Sequence, residues 1–160
     1  GAYTFHATPN AKCIHTENPD CILPADGARA VAKYADTQLN AAVAYDGAEL
    51  YSLRKATLDV ISKHTGRELQ IADETDSSEF YLDSLAVLPE YRGRGIGAQL
   101  INAVKERAFN EYGKNLGLLV DFENPDAERL YQSVGFERAD VKDFLGHKMW
   151  HLVVRQQVSI

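Results

Sequence analysis

The chain has 160 residues, of which 45% are hydrophobic and 25% are charged. These proportions are typical of a folded globular protein, and the length predicts a single domain spanning residues 1–160. The net charge of −6 argues against binding to nucleic acid or to an anionic membrane surface. No apolar stretch reaches the roughly 20 residues that cross a bilayer, and no signal-peptide pattern opens the chain. We therefore expect a cytoplasmic protein with no membrane partner.

The first 28 residues are predicted to form an irregular N-terminal segment. Three prolines and little periodicity indicate a loop, with one short strand near residues 3–6. The chain begins at Gly1 rather than Met, so we expect this segment to be a shortened or processed end. Cys13 and Cys21 are the only cysteines, and no cluster of histidine or cysteine surrounds them. They predict free thiols rather than a metal site, with a bridge between them as the alternative.

Regular structure is predicted from residue 29 onward. Alternating, partly apolar runs at 29–35 and 38–45 indicate a hairpin, although the alanine-rich stretch 28–39 is also compatible with a helix. Asp46 is a typical helix N-cap. The remaining elements are predicted in this order: a helix over 48–63, an acidic loop over 70–79, a strand over 80–88, a helix over 98–112, a strand over 116–122, a helix from Asn124 to Gly135, and strands over 136–141 and 148–154.

Residues 85–98 carry the clearest functional signal in the sequence. A predicted strand runs into the loop RGRGIG at 92–97, and the loop opens a helix. Glycines let the backbone approach a ligand closely, and a helix start offers unpaired N–H groups at the positive end of its dipole. Two arginines add positive charge in an otherwise acidic chain. This order of strand, glycines, arginines and helix predicts a phosphate-binding loop.

A dinucleotide-binding loop is an alternative interpretation of the same glycines. Gly93, Gly95 and Gly97 followed by Ala98 satisfy the dinucleotide spacing, and Asp121, after the next strand, resembles a ribose-binding acid. A stretch containing a proline, however, separates the strand from the first glycine. Too little chain follows for a long series of βαβ units. A nucleotide-dependent oxidoreductase is therefore the less favoured enzyme class.

Two motifs resemble those of the GCN5-related N-acetyltransferase (GNAT) family. The first is V-x-P-x-x-R-G-x-G-I-G at residues 87–97, which resembles the family's acetyl-CoA-binding motif. The second is N-x-x-A-x-x-L-Y-x-x-x-G-F at residues 124–136, at the usual distance. The resemblance is specific over residues 80–137. It implies an α/β fold with a mixed, mostly antiparallel sheet, flanked by helices and splayed between the strands at 80–88 and 116–122.

The resemblance also implies acetyl-CoA as the co-substrate and assigns its contacts. Backbone groups of the entering strand would bind the pantetheine arm, and N–H groups of the loop would hold the pyrophosphate. The implied cofactor-binding residues are Leu85, Ala86, Val87, Arg92, Gly93, Arg94, Gly95, Ile96, Gly97, Ala98, Asn124, Ala127 and Tyr131. Tyr131 matches the tyrosine that commonly protonates the departing thiolate in this family. Ala127 lies four positions before it on the same helix face.

The implied reaction is direct attack of a primary amine on the acetyl thioester, so the amine must first lose a proton. Alternation along the strand places Glu79, Tyr81 and Asp83 on one face. Some family members have a catalytic glutamate where this chain has Tyr81, so that assignment does not transfer. Asp83 and Glu79 are the candidate bases, and solvated or core-rim carboxylates are the alternative interpretation of both.

The resemblance implies an amine acceptor without naming it, either a small molecule or a protein or peptide amine. The acidic residues around the strand would attract a cationic amine. His147, His151, Tyr45 and Asp46 are further candidates for the acceptor pocket. Family members usually open with one or two helices that wall this pocket, and residues 1–28 are short for that. Members are often dimers, so a homodimer is one option, and an acyl-CoA-binding sensor without catalysis is the non-enzyme alternative.

Overall fold

A computed structural model of the protein describes residues 2–7, 40–68, 72–144 and 146–157. These ranges hold six strands, three α-helices and a short 3-10 turn. In chain order the elements are β1 (Ala2–Ala7), β2 (Asn40–Asp46), α1 (Gly47–Thr65), β3 (Glu79–Ala86), the 3-10 turn (Pro89–Tyr91), α2 (Ile96–Asn110), β4 (Asn115–Asp121), α3 (Pro125–Ser133), β5 (Glu137–Phe144) and β6 (His147–Val154). Across these ranges, no helix is both long and apolar enough to cross a bilayer.

The six strands form one mixed sheet in the order β1-β2-β3-β4-β6-β5. All neighbouring strands are antiparallel except β3 and β4, which are parallel. These two strands pair only over residues 79–82 of β3 and 115–118 of β4, and then they separate. The prediction of a mostly antiparallel sheet that is splayed between these strands is confirmed.

The main core lies between the sheet and α2. Helix α2 buries an apolar stripe at three- and four-residue spacing, which packs on alternating residues of the central strands. The stripe consists of Ile96, Leu100, Ile101, Val104 and Ala108, and its strand partners include Phe80, Leu82, Leu116 and Leu118. Full burial of each larger apolar side chain contributes roughly 1.5–3 kcal/mol. This packing fixes α2, and therefore the loop before it, against the splayed strands.

Strand β2 shows where long-range pairing overrides the local pattern. Its edges pair with β1 on one side and with β3 on the other. The predicted pairing of β2 with a strand at 29–35 is therefore wrong, because a strand has only two edges. Strand β1 confirms the short strand near residues 3–6. The segment 29–35, the alternative helix at 28–39 and both cysteines lie outside the described residues.

The predicted helix caps are present in the structure. The Asp46 side chain accepts a hydrogen bond from the Ala48 N–H at 3.3 Å, and α1 ends at Gly66, whose N–H donates to the Ser62 carbonyl at 2.9 Å. Asn124 caps α3 in the same way, since its Oδ1 accepts from the Ala127 N–H at 3.2 Å. These local signals predicted both helices.

Candidate active site

The loop between β3 and α2 turns the chain sharply onto the start of the helix. After the 3-10 turn, Gly93 and Gly95 take φ values of 73° and 77°, a region that side chains with a Cβ rarely adopt. Gly95 is the N-cap of α2, and the first N–H groups of a helix have no partner within the helix. They lie at the positive end of the helix dipole. The loop therefore presents an arrangement of N–H groups suited to phosphate oxygens.

A groove of about 680 Å³, called here the phosphate groove, runs along this loop and reaches α3. It is lined by the end of β3, the glycine loop, the first turn of α2 and one face of α3. All the predicted cofactor residues line it except Ala86 and Arg94. The Arg94 guanidinium lies over the Tyr91 ring, with 5.4 Å between Cζ and the ring centroid. Tyr91, Asp126 and Leu130 also line the groove and were not predicted.

Strand β3 changes the face that its side chains occupy, because it carries an extra residue at Asp83. Leu82 pairs with Ala44 of β2, whereas Ser84 pairs with the adjacent Val43, so Asp83 has no partner of its own. Such a bulge shifts the alternation of side chains by one position. Before the bulge, Tyr81 lies on the face of the sheet that is opposite to α2. After the bulge, Leu85 lines the groove.

The start of the loop is held by two hydrogen bonds, one to a distant strand and one within the loop. The Leu88 N–H donates to Asn40 Oδ1 at 2.8 Å, and Asn40 is only 2% exposed. Arg92 Nε donates to the Val87 carbonyl at 3.0 Å. Asn40 was missed by the sequence analysis, since it lies on β2, 48 positions earlier, where no local pattern marks it.

Tyr131 enters the groove from α3. Its ring packs against Phe136 edge-on, with the centroids 5.9 Å apart, and it lines the groove together with Ala127. Burial raises the pKa of Tyr131 above its ordinary value of 10. The hydroxyl is therefore protonated at neutral pH and is able to donate a proton or a hydrogen bond.

Helix α3 is fixed on the sheet by a two-point ion pair. Arg138 of β5 contacts Glu128 through Nε–Oε1 at 2.5 Å and Nη2–Oε2 at 3.0 Å. The hydrogen bond from Arg138 lowers the pKa of Glu128. The guanidinium also lies 3.9 Å from the Trp150 ring centroid, and Trp150 stacks on Phe122 with the rings 4.3 Å apart. This cluster positions α3, and sequence reasoning did not find it.

A second, smaller cavity of about 200 Å³ lies beside Tyr81 and Asp83. It combines two carboxylates and a phenol with apolar walls. Its lining residues are Glu74, Tyr81, Asp83, Leu119, Phe144 and Met149. Tyr81 is 4% exposed and lines the cavity together with Glu74. Burial, followed by the negative charges of Glu74 and Asp83, raises the pKa of Tyr81 far above its ordinary value, so this phenol stays neutral.

The other candidate base, Glu79, is engaged elsewhere. It is 6% exposed, its Oε2 lies 3.0 Å from His151 Nε2, and it is not among the residues that line the acidic cavity. His151 was a candidate for the acceptor pocket, but it is 7% exposed and its Nδ1 lies 2.8 Å from Asp140 Oδ1. The structure therefore gives Asp83 direct access to the cavity and gives Glu79 none.

The remaining candidates for the acceptor pocket also lie outside the cavity lining. His147 Nε2 is 2.6 Å from Asp121 Oδ2, and Asp46 pairs with Lys114 while capping α1. Tyr45 lies on β2 directly opposite Tyr81 in the pairing of the strands. Because the dinucleotide-binding fold needs a mostly parallel sheet and this sheet is mostly antiparallel, the dinucleotide interpretation is wrong for this chain.

Comparisons with known proteins agree with this geometry. Residues 61–136 match the acetyltransferase (GNAT) family. A thialysine N-epsilon-acetyltransferase from Bos taurus is 37% identical over 71 residues, which are 44% of this chain and 39% of the relative. The match thus spans about two fifths of that relative's length.

Two solved structures share the fold. The crystal structure of an acetyltransferase gives a TM-score of 0.54 at 37% identity, and an N-acetyltransferase from Staphylococcus aureus Mu50 gives 0.55 at 27% identity. Each comparison covers 72% of this chain and 63% of the other. Residues 61–136 of the chain therefore match the GNAT family, in agreement with the resemblance carried by the two motifs.

Proposed function

We propose that the chain is an N-acetyltransferase that moves the acetyl group of acetyl-CoA to a primary amine by direct attack. One observation carries the proposal. Strands β3 and β4 separate after Leu82, with a phosphate-type groove along the far end of β3 and an acidic cavity beside Tyr81 and Asp83. A co-substrate in the groove and an amine in the cavity would thus be brought together along the same strand.

The groove residues fit acetyl-CoA. The N–H groups of residues 93–98 and the positive start of α2 suit the pyrophosphate, and Arg92 adds a positive charge beside them. Leu85 and Val87 provide an apolar wall for the pantetheine arm, while the small side chain of Ala127 leaves room on α3. Acetyl-CoA supplies an electrophilic thioester carbonyl, and the chain supplies binding, orientation and proton transfer.

Tyr131 is proposed as the general acid that protonates the departing thiolate. Its hydroxyl is in the neutral form at physiological pH, since burial raises its pKa. Its ring is fixed by Phe136, and α3 is fixed by the Glu128–Arg138 pair. A positioned, protonated phenol at the groove wall is suited to this step.

Asp83 is proposed as the base that receives the proton of the attacking amine. Its carboxylate lines the acidic cavity at the bulge of β3, just where β3 leaves β4. Its Oδ2 accepts a hydrogen bond from Ser84 Oγ at 2.9 Å, which orients the group. Glu79, the other predicted base, would act on an acceptor only through intervening groups, because its carboxylate faces His151.

The acceptor class follows from the charges and walls of the cavity. Glu74 and Asp83 attract a cation, while Leu119, Phe144 and Met149 accommodate a short alkyl chain. An aminoalkyl group, either of a small molecule or of a peptide side chain, combines both features. The relative named for thialysine is consistent with such an acceptor. A cytoplasmic location and a homodimer stay predictions from the sequence.

The test is release of free CoA thiol from acetyl-CoA across a panel of amines. The panel contains 1,5-diaminopentane, a lysine-containing peptide and a peptide with a free α-amino group. We expect at least one amine to give thiol release above the rate without acceptor, with an acetylated product of matching mass. Tight CoA binding without turnover of any amine would contradict catalysis and favour the sensor alternative.

A further inference from the structure

We propose that the Glu79–His151–Asp140 cluster, called here the histidine network, is a positioning device that holds the acidic segment 72–78 so that Glu74 faces the acidic cavity. This inference rests on the proposed function, because it assigns Glu74 to acceptor binding. None of the three residues of the network lines the phosphate groove or the acidic cavity.

The network joins three strands and one loop. His151 of β6 contacts Glu79 of β3 at 3.0 Å and Asp140 of β5 at 2.8 Å. Thr75 Oγ1 of the acidic segment lies 3.3 Å from Glu79 Oε2 and is only 6% exposed. The sheet leaves space for this arrangement at Gly117 of β4, where a Cβ would lie 2.3 Å from Glu79 Oε2. A side chain at that position would displace the Glu79 carboxylate from its place beside His151.

The charge of His151 explains why two carboxylates are tolerated on either side of it. An ionised carboxylate only accepts hydrogen bonds, so a His151 ring with a proton on both nitrogens donates to Glu79 and to Asp140 at once. Burial lowers the pKa of His151, but the hydrogen bonds and charges of Glu79 and Asp140 outweigh it and raise the pKa above 6.5. Asp76 and Lys142 are the other charged groups near the network, with Lys142 Nζ 3.6 Å from Asp140 Oδ2.

The network reaches the acidic cavity through two neighbouring residues, Thr75 and Glu74. Thr75, which is hydrogen-bonded to Glu79, lies between Glu74 and Asp76 in the chain. Asp76 closes a turn, since its Oδ1 accepts from the Ser78 N–H at 2.7 Å. Glu74, on the other side of Thr75, lines the acidic cavity together with Tyr81 and Asp83. Anchoring Thr75 therefore determines where the Glu74 carboxylate lies.

The kinetic test uses His151→Gln, Glu74→Gln and the double variant, with His64→Gln at the exposed end of α1 as the matched control. The acceptor is 1,5-diaminopentane or, if it is faster, the lysine-containing peptide. We expect either single change to raise the acceptor KM about tenfold, and to leave kcat and the CoA Kd within about twofold. The double variant should match the single variants, because the network acts through Glu74.

The proposal would be overturned if the two changes multiplied their effects on the acceptor KM in the double variant. It would also be overturned if His151→Gln weakened CoA binding as much as it raised the acceptor KM. A readout without catalysis separates this failure from failure of the proposed function. Hydrogen–deuterium exchange of residues 72–78 should be faster in His151→Gln than in wild type and unchanged in His64→Gln. If the wild-type chain acetylates no amine, the enzymatic proposal fails, whereas unchanged exchange in His151→Gln contradicts the network itself.

Discussion

The phosphate groove and the acidic cavity lie along the same strand, but they are built in different ways. The groove is made largely of backbone N–H groups and glycines from one continuous stretch, 85–98, joined by a face of α3. The acidic cavity is made of side chains from the segment before β3 and from four strands. A site made of consecutive backbone groups can be recognised as a sequence motif, whereas a site of converging side chains forms only when the sheet is assembled.

The largest expected effect tests the backbone character of the groove. Gly95→Asp should weaken CoA binding about 1,000-fold, about 4 kcal/mol, because the carboxylate would cap the N–H groups that phosphate needs and repel it. Gly113→Asp is the matched control, as it has a similar φ of 61° against 77° and the same open space around a new Cβ. Calorimetry should show normal CoA affinity for the control. Normal affinity in Gly95→Asp would remove the phosphate assignment.

The second prediction separates chemistry from binding within the groove. Tyr131→Phe removes the proton donor but keeps the packing on Phe136, so turnover should fall about 100-fold while CoA affinity changes little. Steady-state rates with the best amine and calorimetry with CoA measure the two quantities. Tyr51→Phe, at an exposed tyrosine of α1, should match wild type in both. Equal turnover in Tyr131→Phe would exclude this hydroxyl as the acid.

The third prediction concerns the contribution of the histidine network to the free energy of unfolding. Because the folded pKa of His151 is raised, its contribution is complete below the unfolded value of 6.5 and is lost as pH rises through the folded value. His151→Gln should cost about 1.5 kcal/mol of unfolding free energy near pH 5.5 and progressively less toward pH 8.5. Urea unfolding at both pH values measures this. A pH-independent difference would contradict a charged His151.

The smallest expected effect tests the hydrogen bond that anchors the start of the groove loop to β2. Asn40→Ala leaves the Leu88 N–H without its partner, so the chain should lose about 1 kcal/mol of stability and about threefold in CoA affinity. Asn110→Ala, at an exposed asparagine that ends α2, serves as the control and should be neutral. Thermal unfolding and calorimetry are sufficient measurements. Unchanged stability and CoA affinity in Asn40→Ala would show that the loop keeps its conformation without this hydrogen bond to β2.

Most helices and strands after residue 46 could be predicted, because their signals are local. Caps at Asp46 and Asn124, a glycine after α1 and apolar spacing along α2 are each contained within a few consecutive residues. The pairing partners of β2 could not be predicted, since β1 lies more than 30 residues earlier in the chain. The bulge at Asp83 was also missed, because it appears only when β3 is aligned with β2.

The sequence by itself predicted the glycine loop, the place of Tyr131 on α3 and the match of residues 61–136 to the GNAT family, because these signals lie in short runs with characteristic spacing. Tertiary structure alone decided the environment of each carboxylate. Glu79 and Asp83 alternate alike in sequence, yet Glu79 is buried against His151 from β6 and Asp83 opens into the cavity. A carboxylate's environment is set by the neighbours that the fold brings to it, and those neighbours come from distant parts of the chain.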